Sequence, residues 1–181
     1  VNLSKLLQIS SGGVLTDSKE VLEFDVTKRF GVLREVIDES SKKVLIFAQF
    51  THIIEFIHEK LEAEGIKAAI INGAVKLSKR TELFKQFQTT DEPQVLVIQP
   101  QAAAHGVTLT AADTVVWWGP TSSLEIYEQA NARVHRAGQD SHCTVVQLQG
   151  SAAEKHLYQM LDQRINVHEK IMDLYRELLA D

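Results

Sequence analysis

Short apolar runs alternate with amphipathic helical patterns from residue 27 onward, and this alternation limits the chain to few folds. The run at 43–50 is apolar from Val44 to Ala48, as expected for a strand that is buried on both faces. Five such runs predict strands at 43–50, 67–72, 95–99, 114–118 and 143–148. Strands that alternate with helices imply right-handed crossovers and a mainly parallel sheet with helices on both faces. The sequence therefore predicts a three-layer α/β domain whose ligands gather at the carboxyl ends of the strands.

The helices between these strands have their own boundary signals. Thr51 can cap the helix that follows the first strand, and Gly65 ends it. Two further helices are predicted at 78–87 and 124–135 from the spacing of their apolar residues.

Three segments organise the chain. Residues 1–26 are predicted to be an appended N-terminal helix with a loosely specified connection, and 27–150 the α/β domain. Ser151 and Glu154 have the spacing of a capping box, and the apolar stripe after them predicts a long amphipathic helix. Residues 151–181 are therefore predicted to be a C-terminal helical extension.

Bulk properties exclude several classes of protein. A net charge of −5 gives no general basic coat, so a nucleic-acid contact would need a local basic patch. The single Cys143 excludes an internal disulfide and fits a reducing cytosol. No apolar run approaches the roughly 20 residues that span a bilayer, so we expect a cytoplasmic protein without a membrane partner. The chain begins with Val1 rather than methionine, which suggests a piece of a longer protein.

Two arginines, Arg133 and Arg136, lie three residues apart at the end of the predicted helix 124–135. Positions i and i+3 share a helix face, so both guanidinium groups would point the same way. No acidic residue stands three or four positions before either arginine, and the helix dipole offsets only part of their repulsion. An external anion would relieve it, and phosphate matches the guanidinium fork. The alternative is a helix end with two solvated arginines, stopped at Gly138.

The segment 129–139, Q-A-N-A-R-V-H-R-A-G-Q, resembles the sixth helicase motif of the Swi/Snf-type DNA-dependent ATPases, in helicase superfamily two. Every fixed position of the pattern Q-A-x-x-R-x-H-R-x-G-Q is filled. The strand 44–50, V-L-I-F-A-Q-F, is similar to the fourth motif of that family, and 111–116, A-A-D-T-V-V, to its A-A-D-x-V-I strand.

The turn Asn72-Gly73 and the helix after it are similar to another segment of the family, in which a turn precedes an R-x-x-x-x-x-x-F helix. Lys76, Lys79 and Arg80 form a small basic cluster beside this turn. The cluster is either a solvated helix face or a surface that follows phosphates.

The segment 99–109 takes the place of the fifth motif, whose common form is S-T-x-A-G-G-x-G-x-N-L. Only Ala102, Gly106 and Leu109 agree with this form, whereas an Ala-Ala pair replaces the double glycine and Thr108 replaces the asparagine. Glycines allow close approach of the backbone, so these exchanges put the fine coupling between nucleotide and DNA in doubt. The His-Gly pair at 105–106 is more similar to the phage and bacterial branch of the family.

The resemblance implies the C-terminal RecA-like lobe of a two-lobed ATPase that moves along DNA. Arg133 and Arg136 would be arginine fingers, which neutralise charge on the γ-phosphoryl oxygens during hydrolysis. Gln129 and Gly106 would line the nucleotide cleft. The residues that would face the nucleic acid are Gln49, Phe50 and Thr108.

The chain lacks a G-x-x-x-x-G-K-[ST] phosphate loop and an acidic pair at the end of an apolar strand. ATP and Mg²⁺ would therefore be bound mainly by a missing first lobe, and the fragment alone would be inactive. The implied partners are that N-terminal RecA-like lobe and double-stranded DNA. The histidines and the cysteine show no zinc spacing, so no metal site is expected in this chain.

Two other functions stay open. The exchanged fifth motif also fits a non-catalytic module, derived from such a lobe, that docks DNA or protein. An unrelated nucleotide-binding α/β enzyme lacks a recognisable catalytic set. The oligomeric state, the choice between DNA and RNA, and strand separation versus translocation are not determined by the sequence.

Overall fold

A computed structural model describes residues 3–16, 18–103, 107–134 and 142–165. The helices are α1 Leu3–Ser11, α2 Thr27–Glu39, α3 Thr51–Ala63, α4 Leu77–Thr89, α5 Pro100–Ala103, α6 Leu124–Asn131 and α7 Ala152–Asp162. The strands are β1 Gly13–Leu15, β2 Val21–Glu23, β3 Lys43–Phe47, β4 Ala68–Ile71, β5 Val95–Ile98, β6 Ala112–Trp117 and β7 Thr144–Gln147. Strands β1 and β2 form an antiparallel hairpin. The other five form one sheet in the order β4-β5-β3-β6-β7, and every pairing in it is parallel. The predicted α/β fold class is confirmed.

The central strands bury side chains on both faces of the large sheet, which explains their continuous apolar runs. Leu45 lies in a core with side chains from α4, α6 and α7. Ile46, the next residue, lies in a second core with side chains from α2 and α3. Trp117 and Trp118 are divided between the same two cores, and both are fully buried. The sheet with its two helical layers gives the predicted three-layer arrangement.

Helix α3 differs from the prediction at its start and agrees with it at its end. The expectation that Thr51 caps the helix is wrong, because Thr51 is its first residue and Phe50 precedes it without a side-chain cap. Gly65 ends the helix as predicted, with a φ of 81°. The amide of Ile66 donates to the carbonyl of Leu61 at 3.0 Å, which closes the Schellman turn of the helix end.

We expect Gly65→Ala to lower the free energy of unfolding by about 1–2 kcal/mol, because a Cβ is strained at positive φ. Gly31→Ala, inside α2, is the matched control and should raise it by about 0.5–1 kcal/mol. A Cβ at either position would meet no atom within 4 Å, so packing does not contribute to the difference. Urea denaturation of both variants measures it, and effects of the same sign would contradict the assignment of Gly65.

The helix predicted at 124–135 is too long. Helix α6 ends at Asn131, because the amides of Arg133 and Val134 donate to carbonyls three residues back, at 3.1 and 3.3 Å. Such short bonds tighten the last turn and end the helix. The side chain of Asn131 also accepts a hydrogen bond from the indole of Trp117 at 2.9 Å, which ties the helix end to β6.

The expectation of one long C-terminal helix is also wrong. Helix α7 ends at Asp162, where Arg164 adopts a φ of 57° and the amide of Ile165 donates to the carbonyl of Met160 at 2.8 Å. This is a second Schellman turn, built without glycine. The apolar stripe continues in the sequence, but a backbone turn ends α7, and residues 166–181 lie outside the described part of the chain.

The N-terminal segment packs on the α/β domain. The indole of Trp118 donates to the carbonyl of Ser11 at 2.8 Å, and a ring nitrogen of His52 lies 2.9 Å from the carbonyl oxygen of Gly13. These bonds fix α1 and the β1–β2 hairpin beside α3. Within the described ranges, no helix has the length and apolar content needed to cross a membrane.

Candidate nucleotide and nucleic-acid site

The carboxyl ends of the parallel strands meet at one edge of the sheet, which we call the carboxyl edge. The loops that leave it begin with segments that resemble helicase motifs. The residues at these strand ends are Gln49 after β3, Gly73 after β4, Gln99 after β5 and Pro120 after β6. The structure therefore brings together segments that are far apart in the sequence, at the edge where ligands bind in such sheets.

Gln49 and Phe50 are half-buried where β3 leaves the sheet. The side-chain amide of Gln49 donates to the carbonyl of Pro120. The ring of Phe50 packs against both cores and stacks on His52, with 5.9 Å between ring centroids and 18° between planes. The amide nitrogen of Gln49 thus stabilises the fold, and the nucleic-acid contacts of both residues stay a prediction.

Gln99, which sequence reasoning missed, connects three strands at this edge. Its Oε1 accepts a hydrogen bond from the amide of Gly73 at 3.1 Å, and its Nε2 donates to the carbonyl of Gln49 at 3.3 Å. Together with the bond from Gln49 to Pro120, these contacts link the ends of β4, β5, β3 and β6. We call Gln49 and Gln99 the glutamine bridge. The available signal was that Gln99 occupies the place of a serine in the common form of the fifth motif.

The turn after β4 is held by Arg80, from the first turns of α4. Its Nη2 donates to the carbonyls of Asn72 and Val75, both at 3.2 Å. Lys79 forms an exposed ion pair with Glu82 at 3.0 Å. In the predicted basic cluster, Arg80 therefore positions the turn, and Lys79 belongs to a solvated helix face.

Arg133 lies in the turn after α6 and not on the helix, which corrects its predicted position. Only 7% of its surface is exposed, and arginine is rarely buried in this way unless it is paired. The alternative prediction, a solvated arginine at a helix end, is therefore wrong for Arg133. Its carbonyl accepts a hydrogen bond from the amide of Leu109 at 2.9 Å, which joins the fifth-motif segment to the sixth. Arg136 lies outside the described residues.

The other predicted nucleotide and DNA contacts lie on α6 and in the fifth-motif segment. Gln129 lies on α6, and its side-chain amide donates to Glu125 at 2.8 Å, one turn earlier. Thr108 is half-buried next to Leu109, and Gly106 lies outside the described residues. In the described part of the chain, no group of three or more histidine, cysteine, aspartate or glutamate residues could hold a metal ion.

A buried ion pair that was not predicted lies beside the end of β6. Arg29 of α2 donates to both carboxylate oxygens of Glu154 at 2.7 and 2.9 Å, and to the carbonyl of Trp118 at 2.6 Å. Glu154 also accepts the amide of Gly150 at 2.8 Å, while Ser151 accepts the amide of Glu154 at 3.2 Å. The predicted cap of α7 by Ser151 is confirmed. The carboxylate of Glu154 ties α7 to Arg29 of α2, and Arg29 in turn bonds to the end of β6.

Tyr158 lies beside this pair and donates to the carbonyl of Trp117 at 3.2 Å. Burial raises the pKa of its hydroxyl well above the usual 10.0, and the carboxylate of Glu154 acts in the same direction. The hydroxyl therefore stays protonated and keeps α7 attached to β6 at all ordinary pH values.

Comparison with known proteins fits this arrangement. The model of the helicase conserved C-terminal domain matches residues 28–138, more than half of the 181. The chain belongs to this helicase C-terminal domain family. The prediction of a helicase C-terminal lobe is confirmed at this level.

This helicase domain is similar to the chromatin-remodeling ATPase INO80 of Neurospora crassa, with 33% identity over 134 residues, and to that of Homo sapiens, with 30% over 135 residues. The matches cover 74% and 75% of the chain but only 6% and 8% of those proteins. The chain thus spans less than a tenth of the length of these curated relatives. Both come from eukaryotes, so they give no support to the phage or bacterial branch.

Solved structures with low sequence identity share the fold. The C-terminal part of the Fun30 ATPase domain superposes with a TM-score of 0.68 at 21% identity, over 74% of this chain and 45% of that one. The C-terminal domain of the DEAD-box protein Dbp5 gives a TM-score of 0.66 at 17% identity, over 77% of this chain and 79% of that one. The predicted RecA-like fold is confirmed.

Proposed function

We propose that this chain is the second motor lobe of a Swi/Snf-type, ATP-dependent DNA translocase or helicase. The observation that carries the proposal is the bond between Leu109 and the buried Arg133, which joins the fifth and sixth motif segments. The family match and the similarity to ATPases support the same conclusion. A motor of this kind could move along duplex DNA or remodel a protein–DNA complex.

In this proposal ATP and Mg²⁺ bind mainly to an N-terminal RecA-like lobe of the same protein, and the present lobe closes over them. The residue types of this chain fit the second role, because arginine and glutamine side chains can donate hydrogen bonds to phosphate oxygens. Arg133 and Arg136 act as arginine fingers, and Gln129 and Gly106 line the cleft. Mg²⁺, which residues of the first lobe would hold, would supply neutralisation of phosphoryl charge during hydrolysis. The proposed contacts with duplex DNA are Gln49, Phe50 and Thr108.

A docking module without catalysis is the second candidate, and one observation favours it. Ala103 replaces a glycine of the common fifth motif, and it is fully buried at the end of α5. Its methyl group therefore fills the core at a place where a glycine would leave room for close approach of the backbone.

Hydrolysis of ATP by the full-length protein, with and without duplex DNA, separates the two candidates. The motor proposal expects hydrolysis that duplex DNA stimulates and that stops when Mg²⁺ is omitted. The docking module expects binding of DNA or protein without hydrolysis. A full-length protein that carries a phosphate loop in its first lobe and yet hydrolyses no ATP with DNA would contradict the motor proposal.

A further inference from the structure

The glutamine bridge fixes the spacing between strand ends at the carboxyl edge. An amide side chain can donate and accept at the same time, so each glutamine can connect the two strands on either side of its own. Gln99 does so between Gly73 and Gln49, at 3.1 and 3.3 Å. Gln49 extends the connection to Pro120.

Gln99 also lies at the junction between the two proposed halves of the site. Its carbonyl accepts the amide of Ala102 at 2.8 Å, which holds α5 at the start of the fifth-motif segment. Its side chain holds the backbone of Gln49, next to Phe50, where the nucleic acid is proposed to bind. A shift of the loop after β3 would therefore act directly on the residue that begins the fifth-motif segment.

The residue type matters at this position. A serine, which the common fifth motif has here, carries a shorter side chain with one hydroxyl. A glutamine amide, in contrast, reaches Gly73 on one side and Gln49 on the other. The fifth motif of this chain has also lost glycines that would give its backbone freedom.

We propose that Gln99 is a positioning residue that couples nucleic-acid binding to ATP hydrolysis, through its two side-chain bonds to Gly73 and Gln49. This inference rests on the proposed function. Gln99 itself touches neither nucleotide nor DNA in this mechanism. It keeps the loop after β3 and the turn after β4 in register with α5.

The test uses the full-length protein with Gln99→Glu. The carboxylate still accepts the amide of Gly73 but cannot donate to the carbonyl of Gln49, so two oxygens face each other. We expect the concentration of duplex DNA that gives half-maximal stimulation of hydrolysis to rise about tenfold, the equivalent of one lost hydrogen bond to the partly buried carbonyl of Gln49. The KM for ATP should stay within about twofold, since the nucleotide contacts are made by other residues. Gln101→Ala is the matched control, because Gln101 is exposed on α5, and it should behave as the wild type.

The outcomes separate this inference from the proposed function. A wild-type protein without DNA-stimulated hydrolysis overturns both. A wild-type protein with stimulation, together with an unchanged half-saturating DNA concentration in Gln99→Glu, overturns the inference alone. Lower thermal stability in Gln99→Glu with a normal half-saturating DNA concentration also overturns the inference alone, because it indicates a structural role only.

A second variant covers the case in which Gln99→Glu does not fold. Gln99→Ser restores the common residue of the motif and removes both side-chain bonds. We expect faster hydrogen exchange at the Gly73 amide of the full-length protein together with weaker stimulation by DNA. Faster exchange with wild-type stimulation would overturn the inference.

Discussion

Replacing Arg133 with alanine in the full-length protein should lower the turnover of ATP by about 10³–10⁵-fold at saturating DNA, as expected for loss of an arginine finger. Charge develops on the γ-phosphoryl oxygens mainly in the transition state, so ATP binding should change far less than turnover. Steady-state hydrolysis with duplex DNA measures turnover, and equilibrium binding of a nucleotide analogue measures affinity. Arg133 is suited to this role because the bond from Leu109 holds its backbone in place.

Two further variants control for charge and for folding. Arg133→Lys keeps the charge but loses the planar fork, so it should recover only part of the turnover. Arg164→Ala removes a guanidinium whose side chain is 83% exposed, and it should leave turnover unchanged. Thermal unfolding of each variant shows whether the buried position tolerates the change. If Arg133→Ala fails to fold, the turnover of Arg133→Lys tests the finger role, provided that its unfolding temperature is normal. Wild-type turnover in either folded variant would exclude the finger role.

Glu154→Ala should be strongly destabilising, with a loss of about 3–5 kcal/mol in the free energy of unfolding. The change leaves the guanidinium of Arg29 buried without its carboxylate, and the side chain of Arg29 is only 8% exposed. It also removes an acceptor from the amide of Gly150, before α7. Thermal unfolding should show a decrease of roughly 2–4 °C for each kcal/mol in a domain of this size.

The control for this prediction is Glu128→Ala. Glu128 pairs with Arg164 at 3.6 Å on the surface, so its loss should cost at most about 1 kcal/mol. The double variant Arg29→Met with Glu154→Leu removes both charges together and should recover most of the loss, because neither charge then stays buried alone. If the double variant loses as much free energy of unfolding as Arg29→Met and Glu154→Leu lose separately when added together, the ion pair is not the cause.

The sequence was sufficient to locate the parallel strands, because burial on both faces leaves a continuous apolar run in each central strand, such as 44–48. Helix ends were predicted less well. Gly65 gave a signal because positive φ favours glycine, whereas Arg164 adopts positive φ without such a signal, and α6 ends through backbone bonds that no residue type marks.

Side-chain pairs between distant segments could not be predicted. Arg29 and Glu154 are 125 residues apart, and nothing local in either segment indicates the partner. Gln99 showed a departure from the common motif, but its two contacts depend on the strand order β4-β5-β3, which the sequence pattern does not specify. For the same reason, Arg133 was predicted to lie on a helix face, whereas it is buried in the turn after α6 and its carbonyl accepts the amide of the distant Leu109.

The central claim is that this chain holds only half of an ATPase site, and hydrolysis by the chain alone tests it most directly. Residues 1–181 and the full-length protein should be assayed side by side with ATP, Mg²⁺ and duplex DNA. We predict DNA-stimulated hydrolysis by the full-length protein and none by residues 1–181, because the chain has no phosphate loop of its own. Hydrolysis by residues 1–181 alone would contradict the claim.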